Sequence, residues 1–197
     1  MLRTGCEYHA IELGEHLYRK MQEKYGKLPN FNIVNDDFIT HDFGDMKFDM
    51  IYSAATIQWI PEAIAYTKTF DLLKPGGMLA MMLTSAEYKS DNEALYEKIQ
   101  TLYDRYYKPD IPYKHGAFRY TAAPEYGYTE VERHDFKGQR VFTADEYVAF
   151  SGTHCDHIVI PEPLRTEFFE GLRKAVLEAG DRIVFNDTHV LYLTKKP

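Results

Sequence analysis

Acidic side chains follow two short apolar segments near the start of the chain, at the points where strands are expected to end. Glu12 lies in the segment Tyr8–Leu13, and Asp36 and Asp37 follow Phe31–Val34. A carboxylate at the end of a parallel strand can accept hydrogen bonds from both hydroxyls of a ribose. Glu12 therefore suggests nucleotide binding, although a carboxylate here also suits the start of the helix expected next. The two aspartates also fit an ordinary turn that leaves a strand.

Aromatic residues and a single arginine dominate the segment Ile111–Tyr128. Arg119 stands between Phe118 and Tyr120, where its guanidinium can bind a carboxylate through two hydrogen bonds. We name His115, Arg119 and Tyr120 as the candidates for contact with a substrate. The same residues also fit a surface loop in which an arginine stacks on aromatic rings.

Four potential metal ligands stand in a row at His154, Cys155, Asp156 and His157. Zinc sites usually take their ligands from separated pairs on two elements, and the sequence offers no second cluster. The two cysteines, Cys6 and Cys155, make no disulfide framework, which is typical of a reducing compartment. We therefore expect no metal site.

The segment 48–84 has the pattern of a strand, a helix and a second strand. Phe48–Ala54 is a short apolar run, and Pro61 can occupy the first turn of a helix because no N–H is needed there. The helical stripe that follows ends at the turn Lys74–Gly77, and a second apolar run, Met78–Leu83, comes after it. Such a unit forms a crossover in a parallel sheet whose strands are buried on both faces.

The residues of this unit resemble a known family. The stretches FDMIYSAATIQWI at 48–60 and LLKPGGMLAMM at 72–82 look like the fourth and fifth strands of the class I S-adenosylmethionine (SAM) dependent methyltransferases. The pair Gln58 and Trp59 resembles the small-molecule branch, which includes trans-aconitate and juvenile-hormone-acid methyltransferases. The resemblance implies a Rossmann-like α/β sheet with helices on both faces. The alternative is any doubly wound α/β protein with an apolar strand–helix–strand unit.

The resemblance also implies roles for individual residues. The positions that match the family's cofactor site are the ribose acid Glu12, the adenine contacts Asp37 and Phe38, and the small residues Ser53 and Ala54. The stretch 85–127 matches a helical and aromatic insert on the substrate side, whose aromatic wall suits the sulfonium cation of SAM. For Trp59, packing in the core is expected over contact with the cofactor.

One part of the family pattern is absent from this sequence. The first strand and its glycine-rich loop, which hold the methionine and ribose portions of SAM, belong before Tyr8, yet no closely spaced trio of glycines occurs before residue 76. We therefore expect one N-terminally incomplete methyltransferase domain over 1–197, with Met1 as an internal methionine of a longer reading frame. Loss of a central strand leaves buried backbone groups unpaired, each at about 1–3 kcal/mol. Either the two halves close up, or something else pairs there, or the isolated chain is poorly folded.

Two functions are compatible with this pattern. The first is a SAM-dependent methyltransferase that transfers a methyl group to a small-molecule acceptor. A carboxylate acceptor needs no general base, whereas a hydroxyl needs one, for which His115 and His134 are candidates. The second is a non-catalytic, methyltransferase-like remnant that cannot bind SAM without the absent motif. A nicotinamide-dependent oxidoreductase fits poorly, because it too requires a glycine fingerprint.

Composition limits the partners. Apolar residues make up 45% of the 197 residues and the formal net charge is −7, which is typical of a soluble globular protein. The negative charge argues against nucleic acid or an anionic membrane surface as a partner. No apolar run reaches the length of a membrane span, and the start shows no signal peptide. We expect a cytoplasmic protein, monomeric by default.

The second half of the chain is expected to contain helices and closing strands. Capping boxes predict helix starts at Ser90 and Thr143, and an apolar stripe predicts a helix over 164–179. The segment Tyr128–Phe136 alternates as a half-exposed strand near the sheet edge. The resemblance supplies a final hairpin, over 182–194, whose last strand is antiparallel at the edge.

Overall fold

The computed structural model describes residues 2–107 and 118–197, in which strands and helices alternate. The strands are Tyr8–Glu12 (β1), Phe31–Asn35 (β2), Phe48–Ala54 (β3), Leu73–Glu87 (β4), Glu132–Phe142 (β5) and Ile183–Lys195 (β6). The helices are Glu15–Tyr25 (α1), Glu62–Leu72 (α2), Glu93–Tyr106 (α3), Ala144–Ser151 (α4), Cys155–Ile158 (α5) and Leu164–Glu178 (α6). This is the α/β class that the sequence predicts. Within the described ranges, no helix is both long and apolar enough to cross a membrane.

The strands form two sheets. In the first, β1 pairs in parallel with β2, so that Tyr8 lies opposite Phe31 and Glu12 opposite Asn35. In the second, the order is β3-β4-β6-β5, where β3 is parallel to β4 and β6 is antiparallel to both of its neighbours. The expected strand–helix–strand unit is therefore present as β3-α2-β4.

The last strand differs from its prediction in two ways. The sequence predicts a hairpin over 182–194, but β6 is one continuous strand of 13 residues. It lies between β4 and β5, so that β5 and not β6 forms this edge of the sheet. The antiparallel direction of β6 agrees with the prediction. Asn186, which the prediction places near a hairpin turn, instead pairs with Glu87 of β4 on one side and with Gln139 of β5 on the other. This pairing accounts for both differences. A strand with neighbours on both sides satisfies its backbone donors and acceptors on both edges.

Side chains, not backbone, connect the two sheets, since no strand of one pairs with a strand of the other among the described residues. The rings of Tyr8 and Tyr52 lie 5.9 Å apart, and their hydroxyls share a hydrogen bond. The rings of His9 and Phe48 lie 5.7 Å apart. Strand β3 is therefore not buried on both faces as predicted, and Met50 is 41% exposed. Among the described residues, side chains therefore make these contacts between the two halves.

Two apolar clusters form the interior. The first lies between α2, β4 and the segment 118–128, where the ring of Tyr66 stacks on Phe118 at 5.2 Å and on Tyr126 at 4.9 Å. The second packs α3, α4 and α6 around the fully buried Phe168. The predicted insert over 85–127 is therefore divided, because α3 belongs to the second cluster and the residues after 117 belong to the first.

The β1-α1-β2 unit is much less buried than the rest of the fold. Between residues 2 and 47, Phe31 is the only buried residue. Helix α1 buries none of its side chains, and Leu13 and Leu17 are 72% and 60% exposed. The apolar spacing of Leu17, Met21 and Tyr25 predicts a helix, and in α1 this face is only partly covered, with the Tyr25 ring 5.6 Å from that of Phe31.

Local capping signals were right at one helix and wrong at another. Thr143 forms the predicted capping box with Glu146 at the start of α4. Helix α3 instead begins after Asn92, whose side chain accepts a hydrogen bond from the first turn at 2.9 Å. The capping box predicted at Ser90 is absent because the Ser90 N–H and hydroxyl both donate to the Glu87 carboxylate at the end of β4.

Candidate cofactor site

Hydrogen bonds join the carboxyl ends of β1 and β2 just beyond the strands. The Asn35 side-chain amide donates to the carbonyl oxygens of Glu12 and Leu13 at 2.8 and 3.1 Å. The Asp36 N–H donates to the Glu12 carbonyl oxygen at 3.2 Å. Because the two strands are parallel, the predicted residues Glu12 and Asp37 lie at the same edge of this sheet. Ligands of α/β proteins bind at this edge.

Glu12 ends β1 directly before helix α1. Its Oε1 accepts a hydrogen bond from the Gly14 N–H at 2.7 Å, so the carboxylate supports the start of the helix. A Cβ at position 14 would lie 3.1 Å from that oxygen, so a side chain there would push against the carboxylate. Among the described residues nothing donates to Oε2 of Glu12. The helix-start role and a ribose contact are therefore compatible, since they use different oxygens.

Asp37 forms an ordinary turn after β2, which is the alternative to a cofactor contact given above for the two aspartates. Its Oδ1 accepts a hydrogen bond from the Ile39 N–H at 2.8 Å, and its carbonyl oxygen accepts from the N–H groups of Thr40 and His41 at 3.1 and 2.8 Å. Within residues 2–107 and 118–197, Asp37 Oδ2 has no donor and the Phe38 N–H has no acceptor. An acceptor and a donor on consecutive residues thus remain available beside each other.

Asp36 and a lysine of α2 hold this loop in place. The Asp36 carboxylate binds the His41 ring at 2.8 Å and the Asp37 N–H at 2.8 Å, and the bond to His41 is the main reason that the pKa of Asp36 is lowered. The Lys68 ammonium donates to the carbonyl oxygens of Ile39 and His41 at 3.1 and 2.7 Å. Lys68 therefore ties the loop after β2 to the second sheet, a contact that no sequence pattern indicated.

The end of β3 carries an unusual backbone conformation. Ser53 is half-buried, Ala54 is exposed, and Ala55 has a φ of 52°, in the left-handed region that a side chain disfavours. The Ala55 N–H donates to the Met82 carbonyl oxygen of β4 at 2.8 Å, which fixes this turn. Strained positions of this kind occur often at functional sites. No sequence pattern indicates this turn, because glycine is the residue expected at a positive φ.

Arg119 already binds two carboxylates. Its guanidinium donates to Glu62 at 2.7 Å and to Glu125 at 2.7 and 2.8 Å, and its N–H donates to Glu62 at 2.7 Å. The hydrogen bond from Arg119 is the largest cause of the lowered pKa of Glu62. Binding of an acceptor carboxylate by Arg119 would therefore have to displace one of these partners. Glu125 is the more exposed of the two, at 58% against 15% for Glu62.

The other substrate-side candidates lie in different surroundings. The Tyr120 hydroxyl donates to Gln58 at 3.0 Å, and its ring stacks on Tyr192 of β6 at 5.0 Å. Trp59 is 58% exposed, so the expected packing in the core is wrong. His134 lies on the edge strand β5 with its ring 3.4 Å from the Glu132 carboxylate, and His115 is outside the described residues.

The first part of the chain is similar in sequence to known methyltransferases. Residues 1–81 match a family model described as a methyltransferase domain. Over 71 residues the chain is 30% identical to malonyl-(acyl-carrier protein) O-methyltransferase 1 of Ilyobacter polytropus. That match covers 36% of this chain and 26% of the relative, so the chain spans about a quarter of the curated relative's length.

Solved structures share the fold across almost the whole chain. A proposed methyltransferase from Bacillus halodurans C-125 gives a TM-score of 0.55 at 16% identity, over 96% of this chain and 82% of that one. The YcgJ protein of Bacillus subtilis gives 0.55 at 15% identity, over 95% and 81%. The cyclase SpnF gives 0.51 at 12% identity, over 100% and 69%. The predicted Rossmann-like fold and the resemblance to class I SAM-dependent methyltransferases are both confirmed.

Proposed function

We propose that this chain, which resembles the class I SAM-dependent methyltransferases, binds SAM mainly through its adenosine part and transfers the methyl group to a small-molecule acceptor. The observation that carries the proposal is the methyltransferase-domain match over residues 1–81, because that stretch contains every predicted cofactor contact. The fold alone would not support it, since the cyclase SpnF has a similar fold.

Three polar groups that have no partner among the described residues suit the adenosine part of SAM. Glu12 Oε2 would accept from a ribose hydroxyl, and Asp37 Oδ2 would accept from the exocyclic amine of adenine. The Phe38 N–H would donate to a ring nitrogen next to that amine. Hydrogen bonds to a charged carboxylate contribute more than neutral ones, about 1.5–3 kcal/mol each. The residues present therefore fit adenosine.

The methionine part of SAM finds less support in the described residues. No closely spaced trio of glycines precedes residue 76. We therefore propose that most of the affinity comes from adenosine. Free adenosine would then bind nearly as tightly as SAM itself.

Bound SAM supplies a methyl group activated on a sulfonium cation. The chain's own contribution is to hold cofactor and acceptor in line, and positioning of this kind supplies much of the rate. Small side chains at Ser53 and Ala54 let a ligand approach the backbone at the end of β3. The left-handed turn at Ala55 fixes that backbone before any ligand arrives.

An acidic acceptor is the substrate class we favour. A carboxylate can attack the methyl group without a general base. Arg119 would bind such an acceptor by exchanging the exposed Glu125 for the substrate, since exposed ion pairs contribute little. The curated relative is, by its name, a malonyl-(acyl-carrier protein) O-methyltransferase. We further propose a cytoplasmic monomer with no nucleic-acid or membrane partner.

Calorimetric titration tests the proposal directly. We expect SAM and adenosine to bind the folded chain with micromolar affinity, and Glu12→Gln to weaken both by roughly tenfold, or about 1.4 kcal/mol. Glu15→Gln, which alters a neighbouring exposed carboxylate in the first turn of α1, is the matched control and should leave both affinities unchanged. Incubation with methyl-labelled SAM and a panel of small carboxylic acids then tests transfer.

The alternative function predicts a different outcome of the same titration. A chain that circular dichroism shows to be folded, yet that binds neither SAM nor adenosine, would be the non-catalytic remnant. Equal loss of binding in Glu12→Gln and Glu15→Gln would remove Glu12 from the ribose site and leave a general effect on α1.

A further inference from the structure

Three potential metal ligands meet where α4 ends and α5 begins. Ligand atoms of His154, Asp156 and His157 all lie within 4.8 Å of one another. The sequence argument against a metal ion here was the lack of a second element. The structure changes that argument, because α3 brings the hydroxyl of Tyr103 to the same place, 2.9 Å from Nε2 of His157.

The orientation of His157 is set by its other nitrogen. Its Nδ1 lies 2.8 Å from the Ser151 carbonyl oxygen, and since a carbonyl can only accept, Nδ1 must carry the proton. Nε2 then carries the lone pair and accepts a hydrogen bond from the Tyr103 hydroxyl at 2.9 Å, so an incoming ion has to replace that bond. Histidines that bind metals usually donate their second N–H to a carbonyl or carboxylate in this way. The side chain of His157 is 1% exposed, so this orientation is held firmly.

The other two ligands connect this lone pair to solvent. The Asp156 carboxylate lies 4.0 Å from His157 Nε2 and is 48% exposed. The His154 ring lies 4.9 Å from that of His157 and is half-buried. An ion can therefore enter past the exposed Asp156 and meet both imidazoles.

We propose that His154, Asp156 and His157 bind one divalent transition-metal ion, with Zn²⁺ the ion best suited to two imidazoles and a carboxylate. Ligand bonds of about 2.0–2.1 Å on a tetrahedral ion place ligand atoms about 3.3 Å apart, so the present spacing needs side-chain adjustment of about 1.5 Å. The Tyr103 hydroxyl, or water, takes the fourth position. The ion would fix α5 against α3 and α4.

Cobalt and zinc titrations of the untagged full chain test this site. We expect one equivalent of Co²⁺ to bind with visible absorption bands, and Zn²⁺ to displace it. His154→Ala and Asp156→Asn should each weaken binding at least tenfold, and both positions are open enough that the fold, checked by circular dichroism, should persist. Failure of the wild-type chain to bind a full equivalent would overturn the proposal.

Two controls separate this site from general metal binding. Cys155→Ser alters the exposed thiol inside the same segment, and His134→Ala removes an exposed histidine that also has a carboxylate neighbour. Both should bind Co²⁺ as the wild type does. A tenfold loss in either variant would contradict the ligand set named here. The test is independent of SAM binding and of methyl transfer.

Discussion

Asp187→Asn isolates the contribution of a buried ion pair between β5 and β6. The Asp187 carboxylate is 1% exposed and accepts two hydrogen bonds from Arg140, of which the longer is 2.9 Å. The Arg140 guanidinium also lies 4.8 Å from the ring of Phe150. The pair joins the edge strand to the strand beside it, so its loss should act on the whole second sheet.

The size of the effect follows from burial. Removing one partner of a fully buried pair costs about 3–5 kcal/mol, but Arg140 is 37% exposed and keeps contact with water. Asparagine also retains one acceptor of the two. We therefore expect Asp187→Asn to lower the free energy of unfolding by about 2 kcal/mol, near the value of one charge-assisted hydrogen bond. Urea unfolding followed by circular dichroism measures it.

The effect should depend on pH in one direction. The hydrogen bond from Arg140 is the largest cause of the lowered pKa of Asp187 in the folded protein. A carboxyl with a depressed folded pKa stabilises the protein fully above its unfolded value, about 3.9, and loses that contribution as the pH falls further. The difference between wild type and Asp187→Asn should therefore shrink below about pH 4.

A matched pair on the same strand provides the control. Arg133 binds Asp135 with the same bidentate geometry, at 2.8 and 3.0 Å, but both side chains are exposed. Asp135→Asn should leave the free energy of unfolding unchanged within error. If the two variants were equally destabilised, or if the effect of Asp187→Asn did not change with pH, the argument from burial would be refuted.

Three further predictions concern the candidate site. Ala55→Gly should raise the free energy of unfolding by about 1 kcal/mol in urea, because glycine adopts a φ of 52° without strain; a loss of stability would contradict this. Arg119→Ala should raise the KM for a carboxylate acceptor far more than it changes SAM affinity, and unchanged kinetics would remove Arg119 from the site. Lys68→Met should weaken adenosine binding severalfold in calorimetry, because it removes the hydrogen bonds to the carbonyl oxygens of Ile39 and His41. Unchanged affinity would show that the loop after β2 keeps its conformation without Lys68.

Local patterns in the sequence predicted the elements well. The stripe of Leu17, Met21 and Tyr25 located α1, and the Thr143 capping box located the start of α4. The strand–helix–strand unit around Pro61 was also correct. Each of these patterns involves only residues that are close in sequence, so the element forms without a contact to a distant part of the chain.

Features that depend on distant partners were not predictable in this way. The place of β6 inside the sheet depends on pairing with β4, about a hundred positions earlier in the chain. The partners of Arg119 include Glu62, 57 residues away, so an arginine that resembled a free anion-binding group is already paired. The exposure of Met50 likewise depends on what lies beside β3, and no pattern within β3 encodes that.

The shallow burial of the β1-α1-β2 unit has a consequence for how this protein would respond to a ligand. With Phe31 as the only buried residue between 2 and 47, this unit should open locally at a much lower free energy than the second sheet, and its amides should exchange hydrogen fastest. Glu12 belongs to this unit, and Asp37 and Phe38 lie in the loop that follows it. Bound adenosine would therefore stabilise this unit against local opening, and its binding should be detected first as slower hydrogen exchange of the amides there.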